Sequence, residues 1–234
     1  MNRTYERRWL KFAKGEKMKF IGHLDLLRVF QAAIRRTNLP IAYSEGFNPH
    51  QRISFALPLP VGMDSVCEYM EIMLNEPVAT EDLKNILDIQ LPDGLRILSV
   101  YEISEKLPRL AATLTASDYR VVFPGVEESD IHLQSMMNAN EIKIVKKTKS
   151  VEKETDIRQD IIDLKYDPVG AVLMKLSAGS ARNLSPALTA KALFSSMNIN
   201  PPMHHVKMMR LEMYGVKGES GKDGQLVPLH SIAT

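Results

Sequence analysis

One feature limits the folds open to this chain more than any other: the order in which its apolar pattern changes period. Glu6 to Ala13 alternates loosely, with Trp9 and Phe12 inside it, and reads as a strand. After the turn at Lys14-Gly15-Glu16-Lys17, Leu24, Leu27, Phe30 and Ile34 recur at helical spacing. They predict a helix from about His23 to Thr37 with that face toward a core. Ile41 to Leu57 supplies a second strand region, and Glu68 to Leu74 a third, with Tyr69 and Glu71 alternating against Met70 and Ile72. Thr80 is the expected cap of a helix to about Ile89, with Leu83, Ile86 and Leu87 inward. Leu91-Pro92-Asp93-Gly94 stops it, and Leu95 to Ile103 is a further strand. Strand, helix, strand, strand, helix, strand is the order of a ferredoxin-like, or split βαβ, unit.

The same order then returns. Strands are expected at Tyr119 to Phe123, Glu141 to Lys147, within 155–165 and 169–177 as one strand or two, and at Val206 to Tyr214. Helices are expected at Glu127 to Asn138 and at Pro186 to Met197, the latter capped by Asn183 or Ser185. A chain of 234 residues suits two domains of about 100 each. The expected fold class is α+β: two tandem ferredoxin-like units with antiparallel sheets, over 1–108 and 109–216. A flexible tail is expected over 217–234, because glycine is dense from Gly215 to Gly224. That glycine-rich run lacks the Gly-Lys-Ser/Thr ending and the following helix of a phosphate-cradling loop.

Charge is local. Residues 1–36 hold ten basic and three acidic side chains, a balance of +7, which leaves −5 for the rest of a chain whose net charge is +2. Such a concentration suits a phosphate-bearing partner, or simply a solvated lysine and arginine surface. Cys67 is the only cysteine, so no internal disulfide forms and a reducing cytoplasm is the expected compartment. One cysteine does not supply the ligand cluster of an iron–sulfur centre. No run of about 18 apolar residues is present, so no membrane partner is expected. His204 and His205 lack a third ligand at motif spacing.

The stretch from Tyr43 to Met63 carries the strongest recognition signal. Gly46 permits unusual backbone angles and Asn48-Pro49 starts a turn. Gln51 to Ala56 then reads as a strand, with Ile53 and Phe55 on one side and Arg52 and Ser54 on the other. Pro58 and Pro60 end it. A candidate binding surface follows: His23, Asp25, Arg28 and Arg35 from the first helix, with Tyr43, Phe47, His50 and Arg52 from this loop. Asp25, Arg28 and Arg35 share a helix face, and Asp25 can hold Arg28 through an i,i+3 pair. Arginine suits bidentate recognition of phosphate or carboxylate.

Ile21-Gly22-His23-Leu24-Asp25-Leu26-Leu27-Arg28, Arg35-Arg36, Leu39-Pro40, Ser44-Glu45-Gly46-Phe47-Asn48-Pro49, Ile53-Ser54-Phe55, Leu57-Pro58, Gly62 and Glu68 resemble the radical-SAM-linked proteins. That bacterial family has no established function. The resemblance is strong over 5–75 and weaker to about 215. It supplies no catalytic residues. It implies a partner: a radical S-adenosylmethionine enzyme on another chain, which would hold both S-adenosylmethionine and the iron–sulfur cluster.

Three readings follow. The first is a non-catalytic accessory module that binds transfer or ribosomal RNA for modification by the radical enzyme. Arg7, Arg8, Arg28 and Arg35 would position phosphates, and Tyr43 or Phe47 would stack bases. The second is a metal-independent endoribonuclease, with His23 and Lys17 or Lys19 as acid and base. Against it, Asn198 to Lys207 lacks the glycine-rich loop that such tandem ferredoxin-like nucleases carry. The third is a protein-only adaptor subunit.

Overall fold

The computed structural model describes residues 5–123, 133–147, 152–167, 170–196, 205–218 and 224–233. Within them the chain forms β1 (Glu6–Lys14), α1 (His23–Arg35), β2 (Ile53–Phe55), β3 (Asp64–Leu74), α2 (Thr80–Asp88), β4 (Leu95–Ile103) and α3 (Leu110–Thr113). It continues through β5 (Leu114–Val122), α4 (Leu133–Asn138), β6 (Lys143–Lys147), β7 (Glu152–Asp156), β8 (Ile161–Asp167), β9 (Ala171–Ser177) and α5 (Pro186–Ser196). It closes with β10 (Lys207–Lys217), β11 (Gln225–Pro228) and α6 (His230–Ala233). The class is α+β with mostly antiparallel pairing.

The chain divides into two compact units, Met1–Thr115 with Glu212–Thr234, and Ala116–Leu211. The second is thus an insertion in the first, where two consecutive segments had been expected. The expected tail also needs correction: β11 pairs with Tyr214–Lys217 of β10, and Leu229 is wholly buried. Glycine density marked turns there, but residues 225–233 find ladder partners and apolar contacts far from them in sequence.

In the first unit β1 pairs antiparallel with both β3 and β4, and β2 pairs antiparallel with the far edge of β3. The register places Leu10 beside Met70 and Val100, so one sheet face gathers Leu10, Phe12, Met70, Ile72, Leu74 and Ile97. Leu26, Phe30 and Ile34 of α1 and Leu83 and Leu87 of α2 pack on that face. The α1 stripe is spaced i, i+4, i+8, which keeps it on one side of a 3.6-residue helix. Leu24 was expected in this stripe; it is 65% exposed, and Leu26 takes the place. Ile86 likewise faces outward at 40% exposure. Thr80 is the first helical residue, and Ala79 occupies the cap position. Asp25 in the first turn and Arg35 in the last complement the helix dipole of α1.

The opposite sheet face carries Arg7, Trp9, Lys11, Cys67, Tyr69, Glu71 and Tyr101, since Trp9 aligns with both Glu71 and Tyr101 and Lys11 with Tyr69. α3 lies against β3 on this unit, and α6 lies against β4.

In the second unit β5 pairs antiparallel with β9, and β9 with β8; β6 and β7 form a separate two-stranded sheet. Phe123 and Phe194 meet edge to face at 4.8 Å in its core. The region expected as one strand or two over 155–165 and 169–177 holds three, β7, β8 and β9, with a 3-10 turn at Arg158–Asp160 between the first two. The Arg158 guanidinium fixes that turn by donating to the carbonyls of Met137, Ala139 and Ile161. Of the two candidate caps for α5, Ser185 serves: its Oγ accepts from the Ala187 amide at 3.2 Å. Residues 127–132, Met197 and His204 lie outside the described residues.

Candidate functional site

Residues 42–52 build a finger. Its stem is a ladder: the Arg52 amide donates to Ala42 O at 2.8 Å, Tyr43 and Gln51 bridge, and the Ser44 amide donates to His50 O at 2.8 Å. Ser44 Oγ accepts in return from the His50 amide at 2.9 Å, so one serine closes the base of the tip with both its backbone and its side chain. Glu45, Gly46, Phe47, Asn48 and Pro49 form the tip, all exposed. Gly46 sits at φ +110°, a conformation that side-chain-bearing residues avoid. The tip thereby holds Phe47 entirely in solvent, at 106% of its reference exposure. A wholly exposed phenylalanine on a pinned loop carries a desolvation gain that only a partner can realise.

The stem is rooted in the core by aromatic rings. Phe55 of β2 meets Phe12 at 5.8 Å, Phe30 at 5.7 Å and His23 at 5.3 Å, all edge to face. Beside it Arg52 donates from Nε to Tyr43 O at 3.2 Å, and its guanidinium lies 4.7 Å over the Tyr5 ring. That combination orients the cation. Tyr5 and Ser44 were not among the expected site residues. Their signal lay in flanking position alone, because Ser44 faces His50 across a tip bounded by Gly46 and Pro49.

The expected residues thus form two groups. Tyr43, Phe47, His50 and Arg52 share the finger, and His23 joins its root through Phe55. On α1, Arg28 donates to Asp25 at 2.7 Å as the helical spacing predicted, and both are exposed. Arg35 is exposed on the same helix. Among the described residues no hydrogen bond, ion pair or ring contact joins Asp25, Arg28 or Arg35 to the finger. His23 presents its ring to Phe55, and Lys17 and Lys19 are paired with Asp93 and Glu16.

Arg7 and Arg8, expected to position phosphates, are 7% and 3% exposed. Arg7 donates to Glu71 at 2.7 Å and to the carbonyls of Ser104, Leu107 and Pro108. Glu71 also accepts from Trp9 Nε1 at 2.9 Å and from Arg109 at 2.8 Å. Burial opposes its ionisation, yet the donors outweigh burial and hold its carboxyl below the ordinary range. Lys14 is also wholly buried, where desolvation lowers its pKa against the pull of Glu68 and Asp64. The basic surplus of the first 36 residues is therefore in part internal structure. Strand alternation hid this, because β1 is buried on both faces.

A second polar group lies on the same sheet face as Glu71. Glu212 accepts from Lys11 Nζ at 2.7 Å and from Cys67 Sγ at 2.7 Å, and Tyr69 OH stands 3.5 Å from it and 3.2 Å from His230 Nδ1. Burial foremost, then the Glu212 charge, pushes the Cys67 thiol far up, so it is an inert proton donor in this state. Among the described residues no group of histidine, cysteine, aspartate or glutamate side chains is arranged to hold a metal ion. No described helix is long and apolar enough to cross a membrane.

No curated protein matches this sequence. A family model does, over residues 7–186, a span that contains the finger, its aromatic root, α1 and the buried arginines of β1. The chain belongs to the family described as an uncharacterized protein conserved in bacteria (DUF2344).

Proposed function

We propose that this chain is a non-catalytic accessory module that binds RNA, of the transfer or ribosomal class, for a radical S-adenosylmethionine enzyme carried on another chain. The finger is the observation that carries the reading. A fully exposed Phe47, an exposed Tyr43, His50 and a ring-stacked Arg52 offer π-faces for splayed bases and a fixed cation for phosphate. The exposed Arg28 and Arg35 extend basic character along α1. The resemblance of the 21–28 and 44–49 motifs to radical-SAM-linked proteins supports the partner. The strand orders β4-β1-β3-β2 and β10-β5-β9-β8 support the finer fold reading, two ferredoxin-like units, the second with the β6–β7 hairpin inserted.

The test is to purify the chain from its host, sequence the RNA that accompanies it, and titrate that RNA at several salt concentrations. Binding should weaken steeply with salt. Phe47→Ala should weaken it by roughly 5- to 150-fold, the value of about 1–3 kcal/mol for one stacked base. Salt-independent binding, or a Phe47→Ala variant that binds RNA normally, removes the RNA reading. Capture of the radical enzyme without any RNA binding makes the chain a protein-only adaptor.

A further inference from the structure

We propose that residues 225–233 are a latch: they dock over the sheet face that carries Lys11, Cys67, Tyr69 and Tyr101, and they open locally while the rest of the first unit stays folded. The claim starts from where stability resides. The apolar cluster packed by helices in this unit, which holds Leu10, Phe12, Met70, Ile72 and Leu74, lies on the other sheet face, under α1 and α2. Releasing the C-terminal segment therefore leaves that core intact. Arg7 and Glu71 have their own bonds to the 104–109 segment, and Trp9 donates to Glu71.

What holds the segment is narrow. β11 contributes four paired residues, the Leu229 amide donates to Met213 O at 2.9 Å, and Lys217 Nζ donates to Ser231 O at 2.9 Å. Leu229 is its one wholly buried side chain. α6 is a single four-residue turn, far shorter than a helix that stands without tertiary support. His230 completes the contact: Nδ1 meets Tyr69 OH at 3.2 Å, and the ring stacks on Tyr101 at 6.0 Å with an interplanar angle of 22°. Ile232 packs so closely over Gly215 that a Cβ there would stand 2.5 Å from its Cδ1. Gly215 is thus a seat for the latch.

The covered surface differs in kind from the core. A lysine, a carboxylate, a thiol and two tyrosines lie together, and the Lys11 and Glu212 side chains retain 16% and 19% exposure. Segments with few apolar contacts open with free energies well below global unfolding. Opening turns a self-occupied face into an exposed one that carries two tyrosines and the Lys11–Glu212 ion pair.

Cys67 is the reporter because it is the sole cysteine, is 1% exposed, and donates to the same Glu212 carboxylate that Tyr69, the partner of His230, approaches. The experiment measures its rate of reaction with a small disulfide reagent in the full chain, across sub-denaturing urea. Labelling through the latch should show a urea dependence much shallower than that of global unfolding, because little surface is exposed. An Ile232→Ser, Leu229→Ala double variant should label at least tenfold faster, with its far-ultraviolet melt nearly unchanged. Wild-type labelling that follows the global unfolding slope overturns the proposal, as does a folded double variant that labels at the wild-type rate. Should the double variant not fold, the wild-type urea slope alone decides.

Discussion

Arg7 and Arg28 are both arginines in ion pairs, and their surroundings give them opposite roles. Arg7 binds Glu71 with both partners almost fully buried; Arg28 binds Asp25 with both largely exposed. Removing one member of a buried pair strands the other, whereas an exposed pair is already solvated. Arg7→Met should therefore cost about 3–5 kcal/mol in urea unfolding. Arg28→Ala should change stability by less than about 1 kcal/mol. The low pKa of Glu71 carries a pH signature. Its folded value lies below its unfolded value, so the stabilisation is complete above the unfolded pKa and fades as pH falls through the folded one. Glu71→Gln should flatten the decline of melting temperature below about pH 4.5, where the unfolded carboxyl begins to take up protons. An equally steep decline in that variant would place the acid sensitivity elsewhere. Gln51 makes the converse point. It is 7% exposed, and neither its amide oxygen nor its nitrogen meets a partner among the described residues. Gln51→Met should leave stability unchanged or raise it, since an apolar side chain of similar shape has nothing unsatisfied to bury.

Two glycines separate backbone need from space at the level of the elements. Gly46 at the finger tip and Gly94 between α2 and β4 both have positive φ, +110° and +94°. A Cβ at Gly46 meets nothing within 4 Å, while one at Gly94 lies 2.9 Å from Met18 Cγ and 3.1 Å from Lys17 Cβ. The Gly94 carbonyl also accepts from the Gly15 amide at 2.8 Å, tying this turn to the end of β1. Gly94→Ala should destabilise more than Gly46→Ala, each by an amount on the order of 1–3 kcal/mol from backbone strain. Gly46→Ala should in addition disturb RNA binding, because it reshapes the loop that presents Phe47. Thermal melts of the two variants side by side, with binding measured on the second, check both statements.

At the scale of the whole molecule, the first unit is discontinuous in sequence. Glu212 holds Lys11 and Cys67, and the Thr115 hydroxyl donates to Tyr214 O at 3.2 Å. A chain of 1–115 joined by a short linker to 212–234 should melt cooperatively and well above a 1–108 fragment, which lacks those partners. Equal melting temperatures for the two would show that the 212–234 segment is dispensable. The sequence-based cut after 108 missed this because apolar periodicity reports neighbours within a few residues. It carries no information on which distant strand completes a sheet.

What the sequence settled on its own was local. The inward Phe30 and Ile34 of α1, the Asp25–Arg28 pair and the Gly46 to Pro49 turn all follow from short-range geometry. What only the tertiary structure decided was burial of polar groups and the fate of the C-terminus. Arg7, Arg8 and Lys14 read as surface charge until β3 and β4 enclosed β1 on both edges. The residues after Gly224 read as tail until Leu229 found its place against β10. The reason is physical: a charge is buried when partners distant in sequence compensate its desolvation, and those partners are chosen by the fold.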